Sequence, residues 1–434
     1  MLERINQYIW NAGLLTLLLG TGFLVSLKTG FFQIRGISRV WKGTFGAGNK
    51  DSKKLNSCKN GTLSQFKVFT ASLSAAMGTG NIVGVASALA VGGAGSIFWM
   101  WISALFGMML TYAENILAVK YRKPLSDGGY SGGPMAYLEH GLKCKPLAII
   151  YAVFCLFASL GMGNMTQSSA ASHTMYQAFK IPAIVTGLVI ACVLAFTILG
   201  GIQKIGSLTQ ILLPVLAGGY MLSALLVIIF NVSALPDAFS MIFKEAFGIK
   251  AIGGGTLGTV ISVGLRHGVF SNEAGLGSSA LIHSNASDDN PYTQGLWSMT
   301  EVFLDTIICC TLTALAILTS GVSVSESDSL IMAFSTVFGE YSSGLLSIMT
   351  ALFAFCTLLG WCFCGEQAVR YLGGKRAVFP YRIIFCISAC VGAVIKLQSV
   401  WTLSDIANGL MAIPNLLGIL LLLRKIKTPD KLNI

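Results

Sequence analysis

Charge is what this chain lacks most. Asp, Glu, Lys and Arg together make up 11% of its 434 residues, where soluble domains carry about 25%. That excludes a soluble globular protein. Histidine is scarcer still, with four copies. The close pairs Cys309/Cys310 and Cys362/Cys364 have no histidine to complete a ligand set, which argues against a transition metal. The cysteines in apolar runs read as small buried side chains. Cys58 and Cys144 read as reduced thiols in cytoplasmic loops. No basic run is interleaved with stacking aromatics, so nucleic acid is not expected as a partner. Low-complexity tracts and coiled-coil heptads are also missing.

Apolar residues are what is there, at 54%. A bilayer-crossing helix needs roughly 20 of them in a row. Eleven such stretches are predicted, over 8–27, 66–91, 95–119, 147–178, 181–199, 208–231, 251–286, 295–320, 342–368, 381–396 and 401–423. The leading one is numbered zero and the rest one to ten. The first reads as a retained span rather than a signal peptide, because no small-residue cleavage site follows it.

The net charge of +11 is unevenly spread. One side collects Lys28, Arg35, Arg39, Lys42, Lys50, Lys53, Lys54 and Lys59, then Lys120, Arg122, Lys123, Lys143 and Lys145. Lys204, Arg370, Lys375, Arg376 and Arg382 follow, then the tail with Arg424, Lys425, Lys427 and Lys431. The other side holds only Arg4, Lys180, Lys244, Lys250 and Lys396. The positive-inside rule then sets the N-terminus outside and the C-terminus in the cytoplasm of a multi-pass inner or plasma membrane protein.

Two apolar stretches are interrupted at matching places, by AAMGTGNIVG (75–84) and GVFSNEAGLG (268–277). Unpaired backbone in hydrocarbon costs several kcal/mol per group. Such breaks fit where unwound backbone lines a buried site, as in carriers built from inverted repeats. Residues 1–65 form a preface of one helix and a basic loop, 66–231 and 251–423 form two five-helix units, and 424–434 a cytoplasmic tail. The fold class is therefore an all-α integral membrane protein, with two inverted repeats of five helices and one extra helix. The link 231–250 and the acidic loop 322–341, with Glu326, Asp328 and Glu340, each have room for a short helix outside.

A zwitterionic substrate needs donors for its carboxylate and acceptors for its ammonium. Half-helices that start or stop at mid-membrane offer both. Gly78-Thr79-Gly80-Asn81 supplies the loosened backbone and an amide. Its alternative is a glycine-lined helix crossing. It is no dinucleotide fingerprint, since no strand precedes it. In the second break Glu273 stands out, because an intramembrane carboxylate costs at least ~2.5 kcal/mol. Two readings stay open for it: a pair or shared network with Arg266, seven residues earlier, or a tie from the broken backbone to the first span. Asp305 reads as a buried hydrogen-bonded carboxylate near the cytoplasmic end of span seven. Gln167 and Thr357 are polar groups in apolar helices, where an interhelical hydrogen bond is the rival account. Phe98, Trp99 and Trp101 suggest an interfacial belt. Glu114 and Glu366 read as solvated or structural at helix ends.

GTGNIVGVA (78–86), GGAGSIFWMW (92–101), GVFSNEAGLGS (268–278), VFLDT (302–306) and FAFCTLLGW (353–361) occur in register. Together they resemble the alanine/glycine:cation symporter family, from about Ile9 to past Trp361. The resemblance implies a LeuT-type fold and Na⁺-coupled symport of alanine or glycine, with H⁺ coupling or glutamine preference as variants. It implies substrate contacts from Met77, Gly78, Gly80, Asn81, Gln167, Phe270, Ser271, Asn272, Thr357 and Trp361, with Trp361 capping a small pocket. For Na⁺, Ala75 and Gly78 are expected to face Ala354 and Thr357, with a second site conceivable near Asn81, Asp305 and Thr306. Arg266, Glu273 and Asp305 would form a polar network. No cofactor is implied beyond Na⁺ as coupling ion. Ala94 stands where the family often has proline, and His267 where arginine is common.

Two other classes compete. Ser271 and His267 are spaced as a nucleophile and base on one helix face, but no third group orients them. A channel would need a continuous pore.

Overall fold

The computed structural model describes residues 2–10, 12–45, 62–126, 128–248, 257–324, 328–395 and 397–427. Lys50, Lys53, Lys54, Cys58, Lys59, Lys250, Glu326, Lys396 and Lys431 lie outside the described residues. So do parts of the preface, of span six, of the loop after span seven and of the tail.

The chain opens with α1 (Leu2–Ile9), α2 (Ala12–Lys28) and α3 (Ile37–Thr44). The first interrupted stretch is α4 (Gln65–Ala76) and α5 (Val83–Gly92), bent by 57° across the break. Then come α6 (Gly95–Tyr121), α7 (Lys145–Phe179), α8 (Ala183–Ile198) and α9 (Gly201–Phe230). A lateral helix, α10 (Leu235–Ala246), precedes the second interrupted stretch, α11 (Leu257–Asn272) and α12 (Ser278–His283). The rest is α13 (Pro291–Thr319), α14 (Ser329–Phe338), α15 (Tyr341–Gly373), α16 (Val378–Val394) and α17 (Leu397–Leu421). A two-residue hairpin, β1 (Lys123–Pro124) with β2 (Tyr130–Ser131), joins α6 to α7.

Seven of the described helices are long and apolar enough to cross a bilayer, or eight when the bent α4–α5 pair is one span. α2 and α8 are apolar but shorter. The sides of α8, α9 and α16 left uncovered are apolar, with Phe196, Ile211, Val215 and Ile387 all exposed. In water that surface would be costly; against lipid it is the expected one. α6 is the most enclosed long helix and packs on α11 and α13. Gly268 and Gly295 make those crossings close: a Cβ on Gly268 would meet Ser103, and one on Gly295 would meet Tyr112.

The expected helix in 231–250 is present as α10, and it does more than cover an edge. Glu245 Oε2 accepts the Ala94 backbone N–H at 2.8 Å. Trp99 Nε1 donates to the Ala246 carbonyl at 3.0 Å, and Phe98 lies against Phe243 and Phe247. The three aromatics thus pack on protein. Glu114 is not solvated; it is fully buried and takes an Asn415 Nδ2–H at 2.6 Å. Glu366 is structural, gripped by both arms of Arg382.

Candidate functional site

α4 stops because glycines follow, and its end is left open. Met77 N–H still reaches the Leu73 carbonyl, but the Gly78 N–H turns to Asn81 Oδ1 at 3.2 Å. The Thr79 N–H and hydroxyl both turn to Gln167 Oε1, at 3.3 and 3.0 Å. Among the described residues no N–H reaches the carbonyls of Ala75, Ala76 and Met77. Helix-end carbonyls in this condition suit a cation or an ammonium.

Thr357 on α15 faces the same point. Its Oγ1 is buried, has no hydrogen-bond partner, and lies where a Cβ on Gly78 would be. Gln167 arrives there because α7 widens into a π-bulge at Gly161–Thr166, and such bulges re-aim side chains at functional sites.

The second break is held by side chains at two of its carbonyls. Glu273 adopts φ +55°, unusual for a residue with a Cβ, and Gly275 and Gly277 follow at +89° and +80°. The Gly275 carbonyl accepts from Asn415 Nδ2 at 2.8 Å, and the Leu276 carbonyl from Tyr151 OH at 2.9 Å. Asn272 Oδ1 takes the Ala274 N–H at 3.0 Å. The two breaks meet through Asp305. Asn81 Nδ2 donates to Asp305 Oδ1 at 2.7 Å and to Ser271 Oγ at 3.2 Å; Ser271 Oγ and Thr306 Oγ1 donate to Asp305 Oδ2 at 2.7 and 2.9 Å. Asn272 Nδ2 donates to Thr306 at 3.1 Å, and Thr313 Oγ1 to the Asn81 carbonyl at 2.9 Å. On one flank Phe270 stacks on Trp401, ring centres 4.8 Å apart, and the Phe270 ring also approaches Gly80.

A family model described as the sodium:alanine symporter family matches residues 1–430. The chain belongs to that family. It is 40% identical to the sodium/alanine symporter AgcS of Methanococcus maripaludis, over 97% of this chain and 94% of that one. It is 35% identical to a Bacillus subtilis protein named "Probable sodium/glutamine symporter GlnT", over 98% and 88%. Among solved structures it resembles MhsT in complex with L-phenylalanine, with a TM-score of 0.61, 14% identity, and coverage of 83% of this chain and 89% of that one. The fold is of the LeuT type, and the symporter is not an enzyme.

Several expected contacts are rearranged. Arg266 does not pair with Glu273. It pairs with Asp405 on α17, which also takes Asn6 Nδ2–H at 3.3 Å and, at its carbonyl, Trp10 Nε1–H at 2.8 Å. The seven-residue spacing would align Arg266 and Glu273 only on an unbroken helix, and α11 has ended at Asn272. Glu273 instead takes Trp361 Nε1–H at 2.7 Å and Ser278 Oγ–H at 2.5 Å. It therefore ties the second break to α15 rather than to α4. Asp305 is not near a helix end; it sits mid-way along α13, inside the π-bulge Phe303–Cys310. Trp361 is wholly buried against Gly163.

Ala75 lies against Gly360, while Ala354, also buried, is six residues away along α15. Ser271 Oγ is engaged with Asp305, leaving the nucleophile reading without its base. Asp405, Trp10 and Trp401 were missed. Asp405 carried a usable signal, a carboxylate inside an apolar run.

Proposed function

We propose that this chain is a Na⁺-coupled symporter of alanine or glycine that works by alternating access. The observation that carries this reading is the cluster at the first break: the Ala75–Met77 carbonyls, which no N–H among the described residues reaches, lie beside the buried Thr357 hydroxyl, which has no partner. Na⁺ takes the Ala75–Met77 carbonyls with Thr357 Oγ1. The amino acid lies between α4–α5, α7, α11 and α15. Its carboxylate faces the N–H groups and Asn81 amide at the start of α5, and its ammonium faces Gln167 and free carbonyls. Gly78, Gly80, Phe270 and Ser271 leave room for a small side chain only. Asp305 holds the two breaks in register. Ion and amino acid each raise the other's affinity equally. Residues 66–231 and 251–423 act as inverted repeats that rock against each other, with the N-terminus outside and the C-terminus in the cytoplasm.

Liposomes holding the purified protein test this. Labelled alanine uptake should follow an inward Na⁺ gradient, vanish with K⁺ in place of Na⁺, and be competed by glycine. Stronger competition by glutamine than by alanine would reassign the substrate. Uptake driven by a pH gradient alone would reassign the ion.

A further inference from the structure

An apolar cavity of about 430 Å³ lies between α3, α6 and α13, away from the site just described. Val40 and Trp41 of α3, Met108 of α6, and Met299 and Phe303 of α13 wall it. Interiors pack closely, and a space of this size is in the range of small-molecule sites. Two polar residues share the wall. Lys42 of α3 is exposed and lines the cavity. Gln33, in the short helix Phe32–Arg35, also lines it and is 3% exposed. Gln33 Nε2 donates to Ser26 Oγ at 2.8 Å, and the Ser26 hydroxyl is itself given to the Gly22 carbonyl at 2.7 Å. That order fixes which way the amide points. Gln33 Oε1 is then a buried acceptor with no partner among the described residues.

The chemistry of the wall selects its occupant. A water needs roughly two to four polar partners, and most of this wall is hydrocarbon and thioether. Its Thr300 hydroxyl is already given to the Leu296 carbonyl at 3.1 Å. Residues 46–61, next in the chain after α3, are too polar to fill it. They carry Lys50, Asp51, Lys53, Lys54 and Lys59, with Leu55 as the one large apolar side chain. A lipid chain fits, because α3 and the turn before it have the character of an interfacial helix. Ile34, Ile37 and Trp41 are exposed and apolar, while Arg35, Arg39 and Lys42 are exposed and basic. Such a pairing of faces belongs where acyl chains meet anionic head groups. Lys42 supplies a cation for a phosphate, and Gln33 Oε1 accepts from a hydroxyl. A choline head group has neither net charge nor a donor.

We propose that this cavity seats an acyl chain of phosphatidylglycerol, an anionic phospholipid with hydroxyls on its head group. Lys42 holds the phosphate, and Gln33 Oε1 takes a head-group hydroxyl. Phe303 opens the π-bulge that carries Asp305, so the seated chain packs against the segment that joins the two breaks. A lipid bound only by the folded protein also stabilises it by mass action. The proposal goes beyond the Na⁺ and amino-acid reading and is tested without transport.

The purified full-length protein in detergent is titrated with lipids of identical chains and followed by native mass spectrometry. The lipids are phosphatidylglycerol, phosphatidylmethanol (anionic, without a hydroxyl) and phosphatidylcholine. Phosphatidylglycerol should be retained most tightly, with phosphatidylmethanol weaker by about fivefold and phosphatidylcholine weaker again. K42Q should weaken phosphatidylglycerol by about fivefold. Val40→Phe narrows the cavity and should abolish the retained lipid. In parallel melts, phosphatidylglycerol should raise the thermal midpoint of the parent and leave that of Val40→Phe unmoved. Equal retention of the three lipids overturns the proposal, as does K42Q binding that matches the parent's. A parent that retains no lipid, or that forms a dimer in place of a lipid adduct, also overturns it. If Val40→Phe fails to fold, the lipid series and K42Q, a change at an exposed side chain, still decide.

Discussion

Trp361 and Glu273 are joined by an indole N–H donated at 2.7 Å to a carboxylate oxygen. That bond fastens the second break to α15, while the first break meets α15 through the Ala75–Gly360 contact and the unpartnered Thr357 hydroxyl. α15 therefore supports one break and offers a ligand to the other.

Replacing Trp361 by Phe keeps most of the packing and removes the donor. The Glu273 carboxylate then relies on Ser278 alone. We expect a loss of about 1–3 kcal/mol of stability, read as a lower thermal midpoint in detergent, and slower alanine uptake. Gly163→Ala should act similarly, since its Cβ would collide with the Trp361 ring.

Thr357→Val preserves shape and deletes a hydroxyl that bonds nothing in the protein. Its thermal midpoint without Na⁺ should therefore match the parent's. If the hydroxyl holds the ion, half-saturation for Na⁺ should rise roughly tenfold, equivalent to about 1.4 kcal/mol. Unchanged Na⁺ dependence would remove Thr357 from the ion site.

Ala94→Pro restores the residue common in the family and should still be harmful here. Its φ of −62° suits proline. The cost lies in the N–H given to Glu245, which is buried and would lose that donor. A destabilisation of about 1–3 kcal/mol is expected, and it should shrink when Glu245→Gln is added, as a double-mutant thermal melt would record.

Arg266 and Asp405 can be exchanged. Either single reversal, Arg266→Asp or Asp405→Arg, sets like charges together, and uptake should fall by roughly tenfold or more. The double exchange should recover much of that loss. An exchange of Arg266 with Glu273 should recover none, since those two side chains serve different partners.

What could be read from the residues follows their physical strength. The two breaks were legible because glycine, Thr79, Asn81 and Glu273 are conspicuous in hydrocarbon-length runs. The helix at 235–246 and that at 329–338 were legible from local apolar content. Partner choice was not. Arg266 and Glu273 share a spacing, but a single positive φ at Glu273 swings its carboxylate to Trp361, and no local rule forecasts that angle. Asp305 was placed near a helix end because the π-bulge that centres it has no sequence signature of its own. Glu301 carried the same signal as Asp405, a carboxylate inside an apolar run, but its pairing with His283 shows only once α12 and α13 lie side by side.

Asn6 and Trp10 both hold Asp405, almost the full length of the chain away. During synthesis the opening helix has no seat until the last span has been threaded into the bilayer. Assembly of this end is thus a late event, and translation that halts before residue 405 leaves the leading segment undocked and open to proteolysis.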